Sequence, residues 1–506
     1  MTLSLHLVDL VVLVAYLSAV VLFGVWIGRG AKSMSAYLLG NRHLPWWAIL
    51  GSIVATETST ATFLSVPGLA FAQAGDLRFL QLAMGYIVGR ALIVVTLLPL
   101  YFQGQIFTAY EVLETRFGGA TKGVASVVFL VTRNLGDGLR LFLTAIVLEK
   151  VIGIPLPQCV IAIGIATMIY TFFGGMTAVV WNDCLQFLVY MIGGFIAVAV
   201  ILGRLPGGFE QYWQFGLEYE KFRVFDFQWT LEDPMTFWAG LIGGMFLTLG
   251  THGTDQMMVQ RYLCASSVKH AGKALLVSGF VVFVQFAVFL LLGVGLACFF
   301  HQFPPEVPFR TNDYVFATFI VSDLPAGVGL VGIVLAAVFA AAMSTLSSSL
   351  NSSASSAVND LCRPLLRDPS DGFLLNLSRV MTLVFGVLQI IVAIAASRVS
   401  SSVVSDALAI AGFSAGLLLG VFALGLLLSR AGQPSALIGL LFGLLVLCFV
   451  KFGMPWIGLH APEPWSNLAI KIAWPWYPVI GSVTTFAAGA VVAWLFPVDG
   501  PTQHSD

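Results

Sequence analysis

The sequence predicts an all-α polytopic membrane protein, and three observations lead there. Only 10% of the 506 residues are charged and the mean hydropathy is +0.93, whereas a water-soluble globule runs about 25% charged. Most residues fall in apolar stretches of about twenty, the length that crosses a hydrocarbon core. Those stretches lack the ~10-residue alternation of a barrel, and lipid leaves no water for unpaired backbone groups, so they are helices.

Thirteen helices are expected along the chain, at roughly 7–28, 45–72, 78–103, 122–150, 156–176, 178–203, 236–262, 271–300, 325–358, 374–397, 403–429, 434–451 and 475–496. The first resembles a signal peptide, but its positive charges (Arg29, Lys32, Arg42) follow the apolar run, so it reads as a retained helix. The second carries ATETSTAT (Ala55–Thr62) at its centre. Serine and threonine compete with the backbone for hydrogen bonds, so a break is expected there. Gly174–Gly175 marks a tight turn between the fifth and sixth spans. Residues 204–235, aromatic and mixed in charge, read as an outer loop, and the residues after 496 as a short tail.

An odd number of spans with the N-terminus outside puts the C-terminus in the cytoplasm. Twelve basic residues then fall in the short cytoplasmic segments and nine in the longer outer ones, consistent with the positive-inside rule. The chain reads as one transmembrane domain over 1–506: an N-terminal helix and loop (1–44), a core (45–429), and two further helices with a tail (430–506). Six scattered cysteines show no metal or disulfide spacing. The expected partners are the lipid bilayer and a small-molecule solute, with no nucleic acid and no obligate protein partner indicated. A cell-membrane location is implied, and the lack of an outer-loop glycosylation sequon fits a bacterial inner membrane.

Polar residues inside the spans carry the functional signal. In AAMSTLSSSLNSSASS (341–356), Ala341, Ser344, Thr345, Ser348, Ser352 and Ser355 share one helical face. Small residues there also suit helix packing, but near-saturation with oxygens suits a hard cation. Glu57 lies within ATETSTAT, where a broken helix frees backbone carbonyls near the midplane; a glutamate facing a water-filled vestibule is the alternative. Asp183 enters the sixth span with Gln186 at i+3, as a cation ligand or an interfacial cap. Arg133, Asp137 and Arg140 form one stripe of net charge +1, either a structural ion pair or a pair with one arginine left for an anion. His252 stands alone beside Gly253 and reads as structural.

FFGGMTAVVWNDCLQ, GTDQMMVQRYL (Gly253–Leu263) and AAAMSTLSSSLNSS, in this order and spacing, resemble the sodium/solute symporter family, which includes sodium-coupled proline, sugar, pantothenate and sialic acid transporters. The resemblance covers essentially the whole chain. It implies an inverted five-plus-five helix repeat whose halves each begin with a discontinuous helix. The core starts at the ATETSTAT span, and the second discontinuous helix lies around Gly243–Thr254. It implies a main sodium site of the carbonyls of Ala55, Thr58 and Ala341 with the hydroxyls of Ser344 and Thr345. It implies a possible second sodium at Asp183, Ser344, Ser347 and Ser348. The solute would meet Glu57, Ser59, Thr62, Gln81 and Arg133. Glu57 departs from the pattern seen with carboxylated sugars, so the pocket reads as mixed, an arginine for a carboxylate and a glutamate for an amine or cation.

The expected function is secondary active symport, sodium-coupled, of a small polar solute, a carboxylate or amino acid. Sodium is the expected co-transported ion. A sugar or vitamin, or a proton in place of sodium, is the alternative. A channel would need a continuous polar pore, and an enzyme a nucleophile–base constellation; the sequence offers neither.

Overall fold

The computed structural model describes residues 5–104, 106–305, 308–309, 311–396, 403–460 and 471–497. The described residues are helical apart from connecting turns. Helix α1 (Leu7–Gly28) is followed by α2 (Trp46–Glu57) and α3 (Thr60–Phe71), which are separated by a sharp bend. Then come α4 (Leu80–Thr96), α5 (Gly119–Ile152) and α6 (Leu156–Arg204). The second half has α7 (Gly244–Gly253), α8 (Gln256–Leu263), α9 (Val268–Gln302) and α10 (Leu330–Ser356). It closes with α11 (Asp371–Ala396), α12 (Val403–Leu427), α13 (Gln433–Cys448) and α14 (Tyr477–Leu495).

Among the described residues eight helices are long and apolar enough to cross a bilayer, or nine with α2 and α3 as one span. Thirteen spans were expected, and the difference falls where a span is not one straight apolar helix. The 49-residue α6 carries both the fifth and sixth expected spans, interrupted at Gly175. Helix α4 has 17 residues, and α5 carries Arg133, Asp137 and Arg140. Gly175 has φ +55°, and a Cβ there would lie 2.3 Å from the Tyr37 carbonyl oxygen, so only glycine permits this crossing.

Helix α10 is the hub. In its most apolar stretch 89% of residues are buried, against 17% in α1, which faces lipid. It packs on α6, α5, α1 and α11. Large apolar side chains such as Leu22, Val95, Leu188, Phe442 and Trp494 point outward, as a lipid-facing surface requires. The oxygens of α10 are therefore turned to the interior of the bundle, where each must find a partner.

The 205–238 segment is not a plain loop, since it contains a helix at Gly208–Glu218. It is tied to the end of α3 by Lys221, whose Nζ donates to the carbonyls of Ala72 (2.6 Å), Gly75 (3.0 Å) and Ala70 (3.2 Å). A lysine on the last carbonyls of a helix offsets the unpaired acceptors and the negative end of the dipole.

Candidate functional site

Both discontinuities fall inside the expected spans. Helices α2 and α3 meet at 60°. Thr58 (φ −85°, ψ 86°) and Ser59 (φ −78°, ψ 169°) are extended between them. The competition expected of the threonine run is visible, because the Thr58 hydroxyl donates back to the Val54 carbonyl at 2.9 Å. Helices α7 and α8 are separated at Thr254–Asp255, and the Asp255 carboxylate caps α8 by accepting from the Met257 amide at 2.9 Å.

Against the first break lies α10. The Ser344 hydroxyl donates to the Ala55 carbonyl at 3.0 Å and is 3.2 Å from that of Ala341. The Thr345 hydroxyl donates to the Thr56 carbonyl at 3.1 Å and is 3.4 Å from that of Ala341. Five oxygens from two elements thus converge, all of them neutral and all buried. Four of the five residues expected to hold sodium, Ala55, Ala341, Ser344 and Thr345, are in this group. Thr58 sits at the break beside it, its hydroxyl also accepting from Gln285 Nε2 at 2.5 Å.

Asp183 is fully buried within α6, not at an interface as the capping alternative had it. Its Oδ2 accepts from Ser52 at 2.5 Å and lies 3.2 Å from Arg261 Nη2. Arg261, at the edge of an expected cytoplasmic segment, lies inside the bundle. It is fully buried and also donates to Thr56, Ser348 and Ser52. One guanidinium therefore links α2, α6, α8 and α10. Of the residues expected for a second sodium, Ser347 and Ser348 bond the Ser344 carbonyl at 3.2 and 2.7 Å. Asp183 Oδ1 is buried with no hydrogen-bond partner.

A cavity of about 190 Å³ opens between the two breaks. Its lining includes Glu57, Ser59, Thr62, Arg133, Arg140 and His252. Gln81, expected with them, is elsewhere. Its amide donates to the carbonyls of Arg78 and Met235 at 3.0 and 2.9 Å and accepts from the Asp226 amide at 3.1 Å, fastening the 205–238 segment. A water-sized cavity of about 10 Å³, lined by Ser59, Thr144, Arg140 and Thr345 among others, lies between the α10 hydroxyls and the arginine stripe.

The charges around the main cavity are paired. Glu57 bonds Arg90, whose Nη1 also donates to Ser278 at 2.6 Å. His252 Nε2 lies 3.3 Å from Arg90 Nη2 and 3.5 Å from Glu57 Oε2, so it is part of this cluster and not a lone structural residue. Arg140 pairs with Asp137 at 2.5 Å, and Arg133 pairs with Asp255 across the bundle, with Asp137 at 3.7 Å. Arg90 lies inside the apolar helix α4. Nothing local in the chain names Glu57 as its partner, 33 residues away.

A bundle with two broken helices, an oxygen cluster at one break and a charged cavity between them defines a secondary transporter. The sodium:solute symporter family model matches residues 37–443, and the chain belongs to that family. It is 28% identical to the sodium/sialic acid symporter NanT of Aliivibrio fischeri over 96% of this chain and 93% of that one. It is 29% identical to the sodium/iodide cotransporter of Homo sapiens, over 95% and 82%. Among solved structures it matches a substrate-bound, outward-open sodium-coupled sialic acid symporter with TM-score 0.87 and 27% identity, covering 98% of this chain and all of that one. A nucleobase-cation-symport-1 family transporter matches with TM-score 0.53 at 14% identity, over 92% and 96%, a likeness of fold. The chain is thus a multi-pass membrane transporter and not an enzyme.

Proposed function

We propose that this protein couples the downhill entry of sodium to the uptake of a small organic solute bearing a carboxylate, by alternating access. The observation that carries the reading is the convergence of the Ala55, Thr56 and Ala341 carbonyls with the Ser344 and Thr345 hydroxyls at the helix break. Neutral oxygen cages suit an alkali cation, whereas a proton needs none. We assign the main sodium to Ala55, Thr58, Ala341, Ser344 and Thr345. Asp183 has Oδ1 to offer a second ion, with Ser344 and Ser347, but Ser348 joins only if Arg261 lets it go. The solute occupies the adjoining cavity, with Glu57, Ser59, Thr62 and Arg133 on its wall; Gln81 is left out of the solute set. The chain acts as a single transport domain in the cell membrane, with its N-terminus outside. Relatives that carry sialic acid or monocarboxylates in sodium-coupled fashion are consistent with a carboxylate solute.

Thermal unfolding of the purified protein against organic acids, amino acids, sialic acids, sugars and vitamins tests this, run once in sodium and once in choline. A ligand of the native state raises the melting temperature by mass action. A shift confined to sodium is expected. A ligand shifting both salts equally would remove the coupling.

A further inference from the structure

We propose that His252 is a positioning residue for sodium: its neutral imidazole steers Arg90, and through Arg90 the Glu57 end of α2, so that the carbonyls at the first break face the ion. This rests on the main sodium site assigned above and adds to it a residue from the other break.

The hydrogen-bond roles around His252 are fixed by its neighbours. A guanidinium nitrogen can only donate. Arg90 Nη2 bonds Glu57 and lies 3.3 Å from His252 Nε2, so that ring nitrogen accepts and carries no proton. Glu57 Oε2, the other neighbour of Nε2, is 3.5 Å away, beyond a good hydrogen bond. The proton of the neutral ring is therefore on Nδ1, which lies 3.0 Å from the Thr251 hydroxyl. That hydroxyl donates onward to the Leu247 carbonyl at 2.9 Å. Each group thus has the role its neighbour needs, and the imidazole is held in one tautomer and one orientation.

The acceptor at Nε2 matters because of what Arg90 must hold. Arg90 is fully buried, and it bonds Glu57 on α2, His252 on α7 and Ser278 on α9, the last at 2.6 Å. Its Nε has no hydrogen-bond partner. An unmet donor is costly inside a protein, so a buried guanidinium stands where its acceptors are. Glu57 is the last residue of α2. The Ala55 and Thr56 carbonyls lie in the same turn, where a helix has no amides left for its carbonyls, and they face Ser344 and Thr345 instead. A carboxylate at this negative end of a helix is disfavoured, and Arg90 offsets that. Without the His252 acceptor the guanidinium follows Ser278 and Glu57 alone, draws Glu57 with it, and turns the last carbonyls of α2 away from α10. His252 and Thr251 also line the solute cavity, so an occupant there meets the ring that places Arg90.

The test uses the full-length protein in detergent with sodium chloride as the probe, replaced stepwise by choline chloride at constant ionic strength. The melting temperature is followed as sodium rises, which gives a sodium midpoint by mass action. His252→Leu, which has no acceptor, should raise the midpoint at least fivefold. His252→Gln, whose amide oxygen can accept from Arg90, should return it to within twofold of the parent. A merely structural role would lower the melting temperature in choline for both variants and leave their midpoints alike. Thr251→Val, which lets the ring turn, should raise the midpoint at least twofold; should His252→Leu not fold, this variant decides. An unchanged midpoint in His252→Leu or Thr251→Val, or a His252→Gln as impaired as His252→Leu, would overturn the inference and leave the sodium site standing. A parent protein that sodium stabilises no more than choline does would overturn both.

Discussion

Thr345 shows at the scale of one residue how the hydroxyls of α10 act. Its Oγ1 lies within hydrogen-bond reach of the Thr56 and Ala341 carbonyls, one from α2 and one from α10. Removing one oxygen from such a cage costs on the order of 1 kcal/mol. Thr345→Ala should therefore raise the sodium concentration for half-maximal transport about five- to tenfold, read from sodium titrations of uptake; unchanged sodium dependence would misplace the main site. Asp183 makes a different point. It was readable as a carboxylate at depth, but its partner was not, because Arg261 sits 78 residues away beside a predicted loop. Breaking a buried pair on one side strands the other charge, at about 3–5 kcal/mol. Asp183→Asn should lower the melting temperature sharply in sodium and in choline alike, and Asp183→Asn with Arg261→Gln should recover part of the loss. A single variant as stable as the parent would contradict the pairing of Asp183 with Arg261.

The elements were legible where local chemistry decides them. The threonine run in ATETSTAT foretold the break between α2 and α3, since hydroxyls that bond back to the preceding turn act within four residues. The Gly174–Gly175 turn was equally local. The 205–238 segment was not, because its order comes from distant anchors. Gln81 was read as a solute ligand and instead holds this segment, and Arg78 binds Asp76 and Asp226 at 2.8 and 2.9 Å. Burial alone would raise the Asp226 carboxyl, yet the Gln228 amide and the Arg223 and Arg78 guanidiniums outweigh it and hold it below the usual carboxylate range. A carboxylate depressed in the folded state stabilises it above the unfolded pKa of about 3.9 and loses that contribution as pH falls through the lower folded value. Protection of amides 226–237, taken relative to the intrinsic exchange rate at each pH, should hold from pH 7 to about pH 4 and fall only in stronger acid, and Asp226→Asn should lower it at pH 7. Loss of protection already near pH 6 would contradict these contacts.

For the whole molecule, composition and apolar run length sufficed for the fold class, because lipid permits few ways to satisfy a backbone. The inverted repeat came from resemblance, since periodicity carries no trace of a symmetry that relates halves of different sequence. The oxygen cluster at the break was legible because its members are concentrated in two short runs. The cavity was legible only in part: Glu57, Ser59, Thr62 and Arg133 line it as expected, but its charge depends on which arginine meets which acid, and Arg90 and His252 enter from helices with no local mark of that role. The measurement that tests the central claim most directly is uptake into proteoliposomes of an acid identified by melting shift, under an inward sodium gradient and under equal sodium on both sides. The account predicts transient accumulation above the outside concentration only with the gradient. Accumulation driven equally by a proton gradient without sodium would contradict it.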